Sequence, residues 1–305
     1  MKYDKTYLSG VHLALLAAGV SGFSVYVNKF GVGLWASSNA YTTVKNIVAA
    51  VFLTAVLVLW RNRVSLKELS RRTWVQLFGI GLVGGSIPFL LFFKALAMIP
   101  ASEAAFVHKT LFLWVALLSY PFLRERIGPL QLAALGVLIG GVYLLGAPKS
   151  WSFGVGFALA MAATILCAVE NIIAKRVLEN VPASIVAWAR MFFGSLILIG
   201  WVAASGEIGG LVPSSSSQAL WALVVGAVLF IYVSAWYTAL EYAPATVVSS
   251  ILTLAVPITT ILEGVLLRFT FPTQIIFPLG VMIFGVVLLV IQFKRTSQVF
   301  NRAYS

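Results

Sequence analysis

FFKALAMIPASEAAFV, residues 92–107, and WYTALEYAPATVVSSI, residues 236–251, are two versions of one segment. Laid on one another, Ala95, Leu96, Pro100 and Ala101 fall on Ala239, Leu240, Pro244 and Ala245. The register continues without a gap. Residues 92–146 align onto 236–290 at an offset of 144, which places Arg124 on Arg268, Gly136 on Gly280 and Gly141 on Gly285. The chain is therefore a tandem duplication, and the reading of one half constrains the other.

What is duplicated is apolar. Of 305 residues, 61% are hydrophobic and only 10% are charged, against about 25% charged in a soluble domain. Mean hydropathy is +1.00. This is the composition of an integral membrane protein. A spanning helix needs about 20 mostly apolar residues, and such runs occur at 10–29, 40–60, 73–97, 101–123, 127–147, 152–175, 183–205, 218–241, 245–267 and 273–293. With the N-terminus placed in the cytoplasm, the inner loops and termini hold 14 lysines and arginines and the outer loops hold Lys149 and Arg268. That bias fixes orientation by the positive-inside rule, with both termini cytoplasmic in a multi-pass protein of the cell membrane. The net charge of +12 is thus a topology signal, and no nucleic-acid partner is expected. The N-terminal segment lacks a convincing cleavage site and reads as a retained first span. The single cysteine, Cys167, gives no disulfide framework and no zinc pattern.

Five spans per repeat is an odd number, so the halves, 1–149 and 150–305, insert with opposite orientation. The expected fold is an all-α integral membrane protein, with ten transmembrane helices as two inverted five-helix repeats around a central cavity. Inverted repeats about a midplane site are the architecture of many secondary transporters.

The order of these motifs resembles the EamA-type branch of the drug/metabolite transporter superfamily. ALAMIPASEAAFV followed by LLSYPFLRERIGPLQLAALGVLIGGVYLL is echoed by ALEYAPATVVSSI and PITTILEGVLLRFTFPTQIIFPLGVMIFGVVLL, and the resemblance covers essentially the whole chain. It implies ten helices, a cavity between the halves and transport of small metabolites, often export. This chain departs from the pattern in three places. Glu125 has Phe269 as its counterpart, Leu113 stands where the second repeat has Pro257, and the first span has no acidic residue. Small multidrug members hold cations with a glutamate in that span, so its absence argues against cation efflux.

Ionisable groups inside a membrane face a cavity or one another and are functional candidates. FVHKTLFLW, residues 106–114, sets His108 beside Lys109 in an apolar run. A lysine at the centre of a span costs roughly 3 kcal/mol on insertion scales. Lys109 lies about 12 Å into its helix, where snorkelling is hardest. It is expected to line the cavity and meet acidic substrate, or to pair with a glutamate, Glu263 fitting better than Glu103. His108 points about 100° away around the helix and is a candidate proton relay. Lys45 in the second span and Arg190 in the seventh are near-equivalents in the repeat and read as two cationic anchors. Snorkelling is the alternative for Lys45. Glu170 is offered either to Arg190 or Lys175 as a structural partner, or to proton coupling. Glu103 and Glu263 read as interfacial, and Lys29 and Lys94 as snorkelling.

The third span is glycine-rich and carries Pro88, which suits either a bending gate helix or tight packing. Gly136, Gly140, Gly280 and Gly285 read as packing surfaces. Among the aromatics, Trp35, Tyr41, Trp114, Trp188, Trp236 and Tyr237 are mostly assigned to the lipid face or the interfacial belt.

Lys45, Lys109 and Arg190 outweigh Glu170, so the cavity should favour an anion or zwitterion. The expectation is a secondary transporter, exporting a small zwitterionic or anionic metabolite such as an amino acid by alternating access, with Lys109, Lys45, Arg190 and His108 at the substrate. Two alternatives stay open: an exchanger of phosphorylated metabolites or nucleotide sugars, and a flippase-like or structural subunit. No enzyme activity, cofactor or metal is expected, and no P-loop suggests ATP. The expected partners are a small-molecule substrate and membrane lipids, with the chain a monomer or homodimer.

Overall fold

The computed structural model describes residues 2–59, 66–125, 127–148 and 151–303. Among the orienting cations, Arg61, Arg63, Arg126 and Lys149 lie outside the described residues, as does the junction at 149–150. The described residues form helices and no strand: α1 (Lys2–Val32), α2 (Ser38–Leu59), α3 (Arg71–Gly85), α4 (Ile87–Leu96), α5 (Ala101–Lys109), α6 (Leu111–Leu123), α7 (Pro129–Gly146), α8 (Val155–Val177), α9 (Ala183–Ala204), α10 (Ser216–Tyr242), α11 (Ala245–Leu252), α12 (Ala255–Leu262) and α13 (Ile276–Ala303). They make ten spans long and apolar enough to cross a membrane. Val51, Leu117, Leu132 and Phe284 are among many exposed apolar side chains, as expected where the outer surface meets lipid rather than water.

The third, fourth and ninth spans are each two helices end to end, and the breaks have local causes. Pro88 has no N–H for the Gly84 carbonyl four residues back, and α3 ends at Ser86 (φ −141°, ψ −72°). Pro257 likewise leaves the Thr253 carbonyl to Val256, three residues on (3.2 Å). The fourth span breaks at the matching place with Leu113 instead of proline. There the Thr110 hydroxyl donates back to the Val107 carbonyl (2.6 Å), while the Leu113 N–H reaches only to Thr110 (2.9 Å).

The two halves are interleaved. The first span, α1, packs chiefly on α10, α11 and α12, which belong to the second half, and its repeat mate α8 packs chiefly on α3 to α6 of the first. The second span pairs with the seventh (α2 with α9) and the fifth with the tenth (α7 with α13). Close approach is made by glycine. A Cβ on Gly85 would meet the Arg190 carbonyl at 2.5 Å and the Cα of Gly194 at 2.9 Å. Gly141 lies against Met282 and, reciprocally, Gly285 against Leu138, pairs that the repeat makes equivalent. Gly136, Gly140 and Gly280 face nothing within 4 Å of such a Cβ, so of the glycines expected to pack, only Gly285 does.

Candidate functional site

Two ends of the bundle differ. The basic end carries Arg71, Arg72, Arg124 and Arg176, and there the halves are clasped by side chains on helix termini. The Lys175 ammonium takes the carbonyls of Leu240 and Ala243 (2.9 Å to the latter) at the C-terminus of α10. Arg176 takes the Phe122 carbonyl at the end of α6 (3.0 Å from Nε). Cations at helix C-termini are favoured by the free carbonyls there. Glu125 does the converse. Its carboxylate accepts from the N–H groups of Ala245 (2.7 Å) and Thr246 (3.2 Å) and from the Thr246 hydroxyl (2.7 Å), capping α11 from the other half. Thr246 also meets Ser119 of α6 at 2.9 Å. Nothing in the sequence pointed to Glu125 as this cap except its missing counterpart.

Among the described residues the opposite end lacks the equivalent clasp. α6 packs on α11, but the pairing of α5 with α12, which the inverted repeat would demand, is all but absent. Phe269 stands where a second capping acid would be, and α5 begins at Pro100 with no side-chain cap. The fourth and ninth spans are therefore joined at the basic end and parted at the other.

Lys109 is the last residue of α5, at the break in the fourth span. It is half-buried, and no described residue hydrogen-bonds or ion-pairs its ammonium. The expected partner is engaged elsewhere. Glu263, at the start of a π turn, forms an ion pair with Lys29 (3.4 Å). The pair links the first and ninth spans and leaves the Lys29 side chain mostly exposed. Glu103, expected to be solvated at the helix end, is not. It is fully buried and accepts from the backbone N–H (3.1 Å) and hydroxyl (2.7 Å) of Ser152, ahead of α8. The ring of His108 lies against Phe92 with centroids 5.2 Å apart, and its buried Nδ1 has no partner among the described residues.

Lys45 is held from both sides. It donates to the Asn28 Oδ1 (3.1 Å) and lies 5.4 Å from the centre of the Tyr41 ring, and Tyr41 also donates to Asn28 (2.8 Å). Asn28, on α1, is a partner of Lys45 that nothing in the sequence pointed to. Arg190 takes the Gly84 carbonyl through Nη2 (3.0 Å), the acceptor orphaned by Pro88, and its buried Nε has no partner among the described residues. Glu170 is buried, packs against Gly84 and accepts from the Tyr237 hydroxyl. It lies within electrostatic reach of Arg190, while Lys175 is committed to α10. Of the three cations, Lys45 and Arg190 thus carry protein partners and Lys109 has none. No contact joins the three.

The aromatics are less peripheral than expected. Trp35, Tyr41, Trp188, Trp236 and Tyr237 are buried. Trp188 stacks on Phe192 (4.9 Å) and donates to Thr54 (3.0 Å).

An all-helical bundle of ten spans, duplicated in sequence and interleaved between its halves, defines a polytopic membrane protein of the transporter type. The profile of the EamA-like transporter family matches residues 8–147 and again 154–291, and the chain belongs to that family, within the drug/metabolite transporter superfamily. It is 25% identical over 240 residues to a protein of Archaeoglobus fulgidus described as an uncharacterized transporter, covering 78% of this chain and 83% of the relative. A solved crystal structure shares the fold with a TM-score of 0.73 at 18% identity, covering 93% of this chain and 98% of that one.

Proposed function

We propose that this membrane transporter carries a small zwitterionic or anionic metabolite, with an amino acid as first candidate. On this reading the substrate binds between the halves, which correspond to residues 1–149 and 150–305, and is exported by alternating access. The observation that carries the proposal is the half-buried Lys109 ammonium, left without a protein partner at the break of the fourth span. A cation at such depth needs negative charge or water beside it. The unpartnered Nδ1 of His108 next to it is a second group that a ligand or water would satisfy. The cation bias puts the basic end in the cytoplasm, so the clasp at that end corresponds to a state open to the outside. His108 is the better candidate for proton coupling, because Glu170 is already occupied by Tyr237. The engagement of Glu263 by Lys29 weighs against a purely structural Lys109.

The test is ligand-dependent thermal stability of the purified protein, screened with amino acids, sugar phosphates and cationic drugs, with Lys109→Ala alongside. Stabilisation by an acid or zwitterion that is lost in the variant supports the reading. Stabilisation only by sugar phosphates moves the substrate to phosphorylated metabolites. Stabilisation only by cations, or equal shifts in both proteins, overturns it.

A further inference from the structure

At the basic end an open cavity of about 580 Å³ lies between α3, α6 and α8. Arg72 and Gln76 enter it from the first turns of α3, and Arg124 from the C-cap of α6. Arg176, Glu179 and Asn180 enter from the end of α8 and the turn beyond it. The first three belong to the first half of the chain and the last three to the second. The positive-inside rule accounts for cations on this side of the membrane, but not for their convergence from three separate elements on one hollow. Three guanidinium groups face one carboxylate there, so the cavity is net positive.

Arg176 already spends Nε and Nη2 on the Phe122 carbonyl. Arg72 and Arg124 are exposed, and their guanidinium groups have no hydrogen-bond partner among the described residues. Guanidinium presents paired donors that match the oxygens of phosphate two at a time. Gln76 and Asn180 add amide donors, and Phe122 and Leu123 give the cavity an apolar lip at the end of a membrane span. We propose that this cavity binds a phosphate group between the two halves, supplied either by a lipid headgroup at the inner surface or by a free phosphorylated molecule.

The test uses the full chain in nanodiscs and reads its unfolding temperature. One arm titrates inorganic phosphate at constant ionic strength into discs of neutral phosphatidylcholine. The other replaces part of the phosphatidylcholine with phosphatidylglycerol. Arg72→Gln/Arg124→Gln removes the two unpartnered cations and leaves the contact of Arg176 with Phe122 intact. Arg71→Gln, on the same helix but outside the cavity, controls for charge alone. The expected result is a rise in unfolding temperature for the unaltered chain and Arg71→Gln, lost in the double variant. A rise with phosphatidylglycerol alone assigns the site to a lipid headgroup, and a rise with inorganic phosphate assigns it to a soluble ligand. The single variants, each keeping part of the rise, serve if the double variant does not fold. No rise with either probe, or an equal rise in the double variant, overturns the proposal.

Discussion

The hydroxyls of Ser119 and Thr246 meet at 2.9 Å where the fourth span crosses the ninth. The repeat makes Glu263 and Ser102 their counterparts at the opposite end, and Glu263 turns instead to Lys29. A duplicated sequence has thus produced one closed crossing and one open one. The difference traces to side chains that the two copies do not share, Glu125 against Phe269 above all.

Glu125→Ala should loosen the closed crossing. It removes an acceptor for two backbone N–H groups and the Thr246 hydroxyl. We expect a stability loss of about 2 kcal/mol in reversible unfolding, together with faster labelling of a cysteine placed at Thr246 in a Cys167→Ser background. Unchanged labelling would show that Glu125 does not hold the basic end shut.

Lys109→Ala should leave the fold at least as stable as the natural chain, because it removes a costly buried cation that has no protein partner. Thermal unfolding without ligand checks this. A marked loss of stability would mean that the ammonium is paired within the protein.

The buried group of Glu170, Arg190 and Tyr237 should behave as one unit. Tyr237→Phe removes the donor and Glu170→Leu the acceptor of the hydrogen bond between α8 and α10. Each should cost about 1–3 kcal/mol, with the double variant costing clearly less than the sum. Additive losses in a double-mutant cycle would separate the two residues.

Glycine positions should divide by what they touch. Gly85→Ala and Gly141→Ala press a methyl into neighbouring backbone or side chain and should each cost about 1–3 kcal/mol. Gly136→Ala faces open space and should be neutral or slightly stabilising, by about 0.5–1 kcal/mol from helix propensity. Unfolding midpoints of the three variants decide the matter.

Much of this molecule is determined by sequence alone. Apolar run length sets the ten spans, the odd number of spans in each repeat inverts the second copy, and Pro88 and Pro257 mark two of the three helix breaks, because those features depend only on local backbone chemistry and on the lipid solvent. The depth of Lys109, and the asymmetry of Glu125 against Phe269, are equally plain in the sequence. Which groups meet is not. Glu263 finds Lys29, Glu103 finds Ser152, and Glu170 finds Tyr237, each across a long stretch of chain. Residues far apart in sequence are brought together by the packing of the spans, and α1 and α8 are each exchanged into the opposite half. Tertiary packing therefore decided that Lys109 stays unpaired. Inside a membrane the position of a charge follows from counting residues along its helix, but its partner follows from how the helices cross.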